Sequence, residues 1–294
     1  MIAKNQQKTM AWALLIILAI IWGTSFILIK RSLVAFDAGE VGALRMLFAG
    51  IVLLPLALLN YKKVKGKNWG VLFIVGFLGS FIPAFLFAKA ETHLDSSLAG
   101  ALNALTPIFV LIVGAILFTQ RFSKSQVTGI IIGFSGTVFL VFAGSSGTTN
   151  INFYGLFVVL ATICYGFNAN IIKFNIKGLN ALTITSISLG LVMPLALIYI
   201  LFFTDITHQV YTDPSARISL FYVSILGIMS TAVAMGIFNK LIQITTPIFS
   251  SSVTYLIPIV AVIWGFWDGE VLLMGHYLGM LGILTGVYIA NRKK

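Results

Sequence analysis

Apolar residues run along this chain in blocks about as long as a bilayer is thick, with short polar breaks between them. About 20 residues of helix cross the hydrocarbon of a membrane. Blocks of that length fall near 11–30, 40–59, 69–89, 95–118, 124–143, 153–172, 181–203, 218–240, 249–267 and 273–290. The pattern predicts an all-α integral membrane protein of ten transmembrane helices. Several connections are short, which makes neighbouring helices antiparallel and packed; the clearest loops are 144–152 and 204–217. The first block follows Lys4 and Lys8 as a signal peptide would. It is longer than a signal-peptide core, however, and no small-x-small cleavage site closes it, so it is expected to stay in the mature protein.

Composition agrees. Hydrophobic residues make up 59% and charged residues 9%, with a mean hydropathy of +1.03, too little polar side chain to coat a soluble globule. A net charge of +11 would suggest a nucleic-acid partner in a soluble protein. Here its distribution gives another reading. With the N-terminus in the cytoplasm, the inside segments hold Lys4, Lys8, Lys62, Lys63, Lys65, Lys67, Arg121, Lys124, Lys173, Lys177, Lys240, Arg292, Lys293 and Lys294. The outside ends hold only Lys30, Arg31, Lys89 and Arg217, and Arg45 lies within a span. All eight acids (Asp37, Glu40, Glu91, Asp95, Asp205, Asp213, Asp268, Glu270) fall on the outside ends. Positive charge marks the cytoplasmic side, so both termini are predicted to be cytoplasmic. The Lys62–Lys67 loop is expected to set topology and touch anionic lipid rather than nucleic acid. The lone Cys164 excludes an intramolecular disulfide and a cysteine metal site.

The blocks also repeat. Trp22-Gly23 through Ile29-Lys30 lies over Tyr165-Gly166 through Ile172-Lys173, and Pro55-Leu56-Ala57-Leu58 over Pro194-Leu195-Ala196-Leu197. Lys89 and Lys240 lie equally far before Pro107 and Pro258, and Gly129 and Gly136 match Gly279 and Gly286. This divides the chain into residues 1–147 and 148–294. Five spans per repeat is an odd number, so the second repeat must enter the membrane from the opposite side, as Lys30 outside and Lys173 inside also indicate. Inverted repeats can exchange conformations about a fixed midplane site, the basis of alternating access.

These residues resemble those of the drug/metabolite transporter superfamily, in particular the EamA-type ten-helix transporters. The resemblance covers nearly the whole chain. It rests on Trp22-Gly23-Thr24-Ser25-Phe26, Arg45, Leu105-Thr106-Pro107, and Gly269-Glu270 with Gly279. The chain departs from the family pattern at Thr119-Gln120, which stands where Gly-Glu is usual, weakening any role for an acid there. The resemblance implies a basket of ten helices around a central cavity that moves amino acids, metabolites or related solutes without a cofactor. The expected location is the bacterial cytoplasmic (inner) membrane.

Paired midplane prolines are the best sequence pointer to a transporter site, and Pro107 and Pro258 are such a pair; either taken alone reads equally well as a packing kink. Polar residues at the same depth gather around them: Trp22, Thr24, Ser25, Asn103, Thr106, Tyr165, Asn168, Asn170, Ser230, Thr231 and Tyr255. Buried amides and hydroxyls belong toward a bundle interior, where they bond either other helices or a ligand. As a group they suit a zwitterionic or moderately apolar solute. Arg45 sits near the outer end of its span. It reads as snorkelling, as pairing with Glu40, Asp37 or another outer-end acid, or as an anion-attracting or gating charge at the extracellular mouth.

No Asp or Glu lies deep in any span, which favours a facilitator, or coupling through edge residues, over a deep carboxylate relay. Glu91, His93 and Asp95 read as ordinary loop polarity. The alternative class, a membrane enzyme acting on lipid, would need a nucleophile–base pair or metal-ligand cluster that the sequence does not offer. Glycines at 76 and 79, and at 129 and 133, permit close helix approach; the choice between monomer and weak dimer stays open.

Overall fold

The computed structural model describes residues 2–94, 96–144, 153–267 and 274–291. Asp95, Asp268 and the Gly269-Glu270 pair therefore lie outside the described residues. The chain is helical throughout the described part, with no strand there. In order, the helices are α1 (Ile2–Ser32), α2 (Ala38–Asn60), α3 (Asn68–Gly76), α4 (Ile82–Glu91), α5 (Ser96–Asn103), α6 (Thr106–Leu117) and α7 (Lys124–Gly144). They continue with α8 (Gly155–Asn175), α9 (Ala181–Phe203), α10 (Ile206–Thr212), α11 (Pro214–Ile225), α12 (Ala234–Ile244), α13 (Pro247–Ser251), α14 (Val253–Trp267) and α15 (Met274–Asn291).

Among the described residues, seven helical stretches are long and apolar enough to cross a membrane: Gln6–Ser32, Ala38–Lys63, Asn68–Glu91, Leu98–Leu117, Gly155–Asn175, Ala181–Phe203 and Pro214–Ile244. Shorter apolar helices follow at Pro247–Val260 and Tyr277–Asn291. Large apolar side chains face outward, among them Leu59 at 76% exposure and Phe202 at 75%. Water would oppose such a surface and lipid favours it. The molecule is a multi-pass α-helical membrane protein.

Two spans depart from α-helical winding. A π-helical stretch, Phe77–Phe81, joins α3 to α4, and another, Leu226–Val233, joins α11 to α12. They occupy matching positions: Gly79-Ser80 and Ser230-Thr231 are separated by the same offset as Pro107 and Pro258. π-turns cluster at functional sites because they release backbone groups and turn side chains off the regular helical stripe.

The prolines behave unequally. The segment holding Pro107 breaks between α5 and α6, and Pro107 lies in the first turn of α6. Proline deprives the carbonyl four residues back of its partner. Here that carbonyl is Asn103's, and the Thr106 hydroxyl donates to it at 2.8 Å. Pro258 instead lies inside the continuous α14, and its segment breaks earlier, at Ser252 between α13 and α14. The expected pair of proline breaks is therefore a single one.

Packing sets up the site. α2 lies against α9, α6 against α8, α1 against α14, and α7 against α15. The last pair meets through glycine: a Cβ on Gly286 would strike the Gly133 main chain, and one on Gly129 the Ala290 main chain. The α7 glycine series is thus covered within the chain by α15.

Candidate functional site

A cavity opens between the two halves of the chain, lined from both of them. α1 supplies Trp22 and Ser25, α2 supplies Arg45, α5 and α6 supply Asn103 and Thr106, and α8 supplies Tyr165 and Asn168. Both π-helical stretches reach it, one through Gly79 and Ser80 and the other through Ser230 and Thr231. Met46, Phe87 and Phe238 add apolar surface. The lining therefore mixes neutral polar and aromatic side chains with one cation, Arg45.

The polar groups of this lining divide sharply. Some are committed to structure. Trp22 Nε1 donates to the Ser230 carbonyl at 2.9 Å, taking up a backbone oxygen in the π-helical stretch. Ser25 Oγ donates to the Trp22 carbonyl at 2.6 Å, and Thr106 Oγ1 also reaches Asn103 Oδ1 at 3.2 Å. Others are held without a partner: among the described residues neither Asn168 Oδ1 nor Asn168 Nδ2 has a hydrogen bond, and neither has Ser230 Oγ. Asn168 and Ser230 are each 1% exposed. A buried polar group left unpaired costs about 1–3 kcal/mol. Gly79 makes room for the Asn168 amide, since any Cβ there would collide with it. An amide left unpaired in this lining keeps one donor and one acceptor group uncommitted.

Aromatic rings order the rest. Tyr165 stacks on Phe87 with centroids 6.1 Å apart, and Trp22 meets Phe238 edge-on at 5.2 Å. Arg45 donates through Nε to Thr231 Oγ1 at 2.7 Å. The acids suggested by its place in the sequence are engaged elsewhere. The Glu40 amide donates to Asp37 Oδ1 at 2.8 Å and the Asp37 amide to Glu40 Oε2 at 2.9 Å, a reciprocal cap on α2. Arg45 is thus part of the cavity wall, and neither a snorkelling side chain nor a partner of those acids.

Of the residues picked out from sequence, the cavity gathers Trp22, Ser25, Arg45, Asn103, Thr106, Tyr165, Asn168, Ser230 and Thr231. Five stand elsewhere. Thr24 Oγ1 donates to the Ile20 carbonyl at 2.8 Å and accepts from Trp264 Nε1 at 3.0 Å, on the seam with α14. Asn170 Nδ2 donates to the Val110 and Gly166 carbonyls at 3.0 and 2.9 Å, and its Oδ1 accepts from Gln120 Nε2 at 2.8 Å. Tyr255 Oη donates to the Ile130 carbonyl at 3.0 Å beneath α7. Pro107 and Pro258 are buried behind the wall.

Sequence reasoning passed over Gly79, Ser80, Ser251 and Thr254, all lining residues. It also read Glu91 as ordinary loop polarity, whereas Glu91 ends α4 and is 8% exposed. The repeat itself held a signal for Gly79 and Ser80, because they align with Ser230 and Thr231.

Comparison with known proteins adds a family. The model of the EamA-like transporter family matches this chain twice, over residues 9–142 and 152–292. An uncharacterized transporter of Archaeoglobus fulgidus is 29% identical over 60% of this chain and 62% of its own length, so that match spans under two thirds of the relative. A probable terminal-alkyne amino-acid exporter of Streptantibioticus cattleyicolor is 23% identical over 96% of this chain and 93% of its own. An uncharacterized inner membrane transporter of Escherichia coli, YedA, is 25% identical over 94% and 89%. A crystal structure described only as that of a protein superposes with a TM-score of 0.73 at 18% identity, covering 96% of both chains, and so shares the fold. Two family matches that together cover most of a multi-pass helical chain leave one assignment: the chain belongs to the EamA-like transporter family of the drug/metabolite transporter superfamily.

Proposed function

We propose that this transporter moves small polar or amphipathic metabolites, neutral amino acids foremost, by alternating access through ten transmembrane helices arranged as two inverted five-helix repeats (residues 1–147 and 148–294). The observation that carries the cargo reading is the pairing of an unpartnered Asn168 amide and Ser230 hydroxyl with Arg45 in one cavity. The amide and hydroxyl meet an ammonium or amide group, the guanidinium meets a carboxylate, and the Tyr165–Phe87 and Trp22–Phe238 pairs take an apolar side chain. The name of the Streptantibioticus relative points to the same class of cargo.

The inverted-repeat reading draws support from how the helices pair. The first segment (α1) packs on the ninth (α14), and the sixth (α8) packs on the fourth (α6). The second meets the seventh (α2 on α9) and the fifth meets the tenth (α7 on α15). Exchanging the two halves turns the first of these contacts into the second and maps each of the last two onto itself. The two family matches and the matched π-helical stretches follow the same exchange. Loop charge supports cytoplasmic termini, and the E. coli relative's name supports a bacterial cytoplasmic membrane.

Counterflow of labelled neutral L-amino acids in proteoliposomes tests the proposal. Uptake above that of empty liposomes, competed by the unlabelled solute, is expected. Failure of every amino acid to move removes the cargo reading. Turnover of a membrane lipid by the purified protein would replace transport with enzymology.

A further inference from the structure

We propose that the two halves pass a hydrogen-bonded grip between them. Trp22 and Lys173 hold the α12 segment in this structure, and Tyr165 and Lys30 hold the α4 segment when the cavity faces the other side of the membrane. This rests on the inverted-repeat reading of the transporter and names the positioning residues of the exchange.

The α12 segment is held at two depths. A helix leaves its last carbonyls without intrahelical donors, and a cationic side chain suits that end. Lys173, in the last turn of α8, reaches the end of α12. Its Nζ donates to the Ile242 carbonyl at 3.0 Å, the Gln243 carbonyl at 3.3 Å and the Thr245 carbonyl. An ammonium has three donors, so the set is complete. Gln243 adds a bond from α12 to the Leu179 carbonyl, beyond α8, at 2.8 Å. Deeper in the membrane, Trp22 Nε1 donates to the Ser230 carbonyl in the π-helical stretch that leads into α12, and its ring meets Phe238 of α12 edge-on.

The repeat supplies a counterpart for each of these groups. The offset that carries Trp22 onto Tyr165 carries Lys30 onto Lys173. The offset that carries Pro107 onto Pro258 carries Gly79 onto Ser230, Phe87 onto Phe238, and Glu91, Thr92 and Leu94 onto Ile242, Gln243 and Thr245. The aromatic contact is made in both halves, since Tyr165 stacks on Phe87. The grip is made in one. Lys30 is exposed, and neither its ammonium nor the Tyr165 hydroxyl has a hydrogen bond among the described residues. Thr92 Oγ1 turns back onto its own segment, donating to the Lys89 carbonyl at 2.8 Å.

The cavity is uneven in the same sense. Its lining follows α1 as far as Ile29, the neighbour of Lys30, but follows α8 only to Asn168 and α12 only to Phe238, short of the Lys173 clamp. Ile172, the counterpart of Ile29, is buried outside the lining. Loop charge puts the Lys173 end in the cytoplasm, so the grip on α12 shuts that side. Opening it frees carbonyls that lipid cannot satisfy, and the equivalent bonds on α4 offset the loss. Exchanging like bonds for like keeps the two states close in free energy, which lets a solute shift their balance.

Single-cysteine labelling of the full-length protein in membrane vesicles tests this, with a membrane-impermeant methanethiosulfonate applied to one side at a time. In a Cys164→Ser background, Ile29→Cys reports the outer side and Ile172→Cys the cytoplasmic side. Lys173→Met speeds labelling of Ile172→Cys about tenfold, as expected for lost charge-assisted bonds, and slows that of Ile29→Cys. Trp22→Phe keeps the ring, loses the N–H, and shifts both rates the same way about threefold. Tyr165→Phe and Lys30→Met instead slow labelling of Ile172→Cys. Lys173→Arg, which keeps a cationic donor, stays nearer the wild-type ratio than Lys173→Met. An unchanged Ile172→Cys rate in Lys173→Met and Trp22→Phe, or a faster one in Tyr165→Phe or Lys30→Met, overturns the proposal. So does equal acceleration of both reporters in Lys173→Met, the sign of a purely structural role. If Lys173→Met does not fold, Trp22→Phe and Tyr165→Phe carry the test, and shifts of one sign in both reject it. Counterflow of labelled neutral L-amino acids by the wild type separates the readings. If no solute moves, the cargo reading fails and labelling still decides the grip; if solute moves without the opposed shifts, the transporter stands and the grip falls.

Discussion

Two faces of α8 use the same residue type in opposite ways. Asn168 turns toward the cavity with both ends of its amide unpartnered among the described residues, while Asn170 turns toward α6 with its amide fully bonded. Each face has a glycine that shapes it: Gly79 clears space for the Asn168 amide, and Gly166 brings α8 onto the Phe109 main chain. On the packing face, satisfied hydrogen bonds and close backbone approach hold α8 in place. On the cavity face, polarity is left unspent in the wall of the cavity. An unpaired polar side chain in lipid is costly, so satisfaction, with polarity equal, is what separates Asn168 from Asn170.

The harshest test of the contrast is Gly166→Val. Its Cβ would come within 2.9 Å of the Phe109 carbonyl carbon, and main chain cannot move aside as a side chain does. A loss of ~3 kcal/mol or more is expected, at the upper end of overpacking effects. Size-exclusion chromatography should show little folded protein. A well-folded, active Gly166→Val would mean that the α6–α8 seam is not tight.

Next in size is Asn168→Leu, predicted to cut transport at least tenfold, the equivalent of one lost hydrogen bond of ~1.4 kcal/mol to the solute. No protein–protein bond is broken and an unsatisfied amide is removed, so the thermal midpoint should hold or rise. A fall in midpoint with normal transport per folded molecule would place Asn168 on the packing side. Asn170→Leu should give the mirror image. It removes three hydrogen bonds that in a membrane average roughly 0.6 kcal/mol each, so stability drops by ~2 kcal/mol while transport per folded molecule persists.

This contrast was only half legible in the sequence. Polar residues are so sparse in the spans that Trp22, Tyr165, Asn168, Ser230 and Thr231 stood out, and the repeat put them at comparable depth. Rotation was not legible. A helix that is apolar nearly all round has no polar stripe to say which side faces inward, so Thr24 and Ser25, or Asn168 and Asn170, look alike until packing separates them. The π-helical stretches were hidden because they are marked by Gly79-Ser80 in one half and Ser230-Thr231 in the other, and neither pair breaks a helix by propensity alone. Glu91 sorted to a helix end, where it lies, but depth at a helix terminus depends on what packs over it. Here α5 and Ser96 do so.

The smallest predicted effect probes how the packing face is anchored. Thr119 has φ of 49°, in the left-handed region, and precedes Gln120, whose Nε2 donates to Asn170 Oδ1. A left-handed conformation costs an L-residue roughly 1–2 kcal/mol, and a β-branched side chain suits it poorly. Thr119→Gly relieves that strain, while the added freedom of glycine in the unfolded chain takes back ~0.5–1 kcal/mol. A net gain of up to ~1 kcal/mol is expected, read as a small rise in thermal midpoint with transport unaltered. Thr119→Ala, which keeps a Cβ at the same φ, should show no such rise. A lower midpoint in Thr119→Gly would mean that the strained turn itself aims Gln120 at Asn170, and the anchor of α8 would then extend from the amide network into the backbone of the α6–α7 connection.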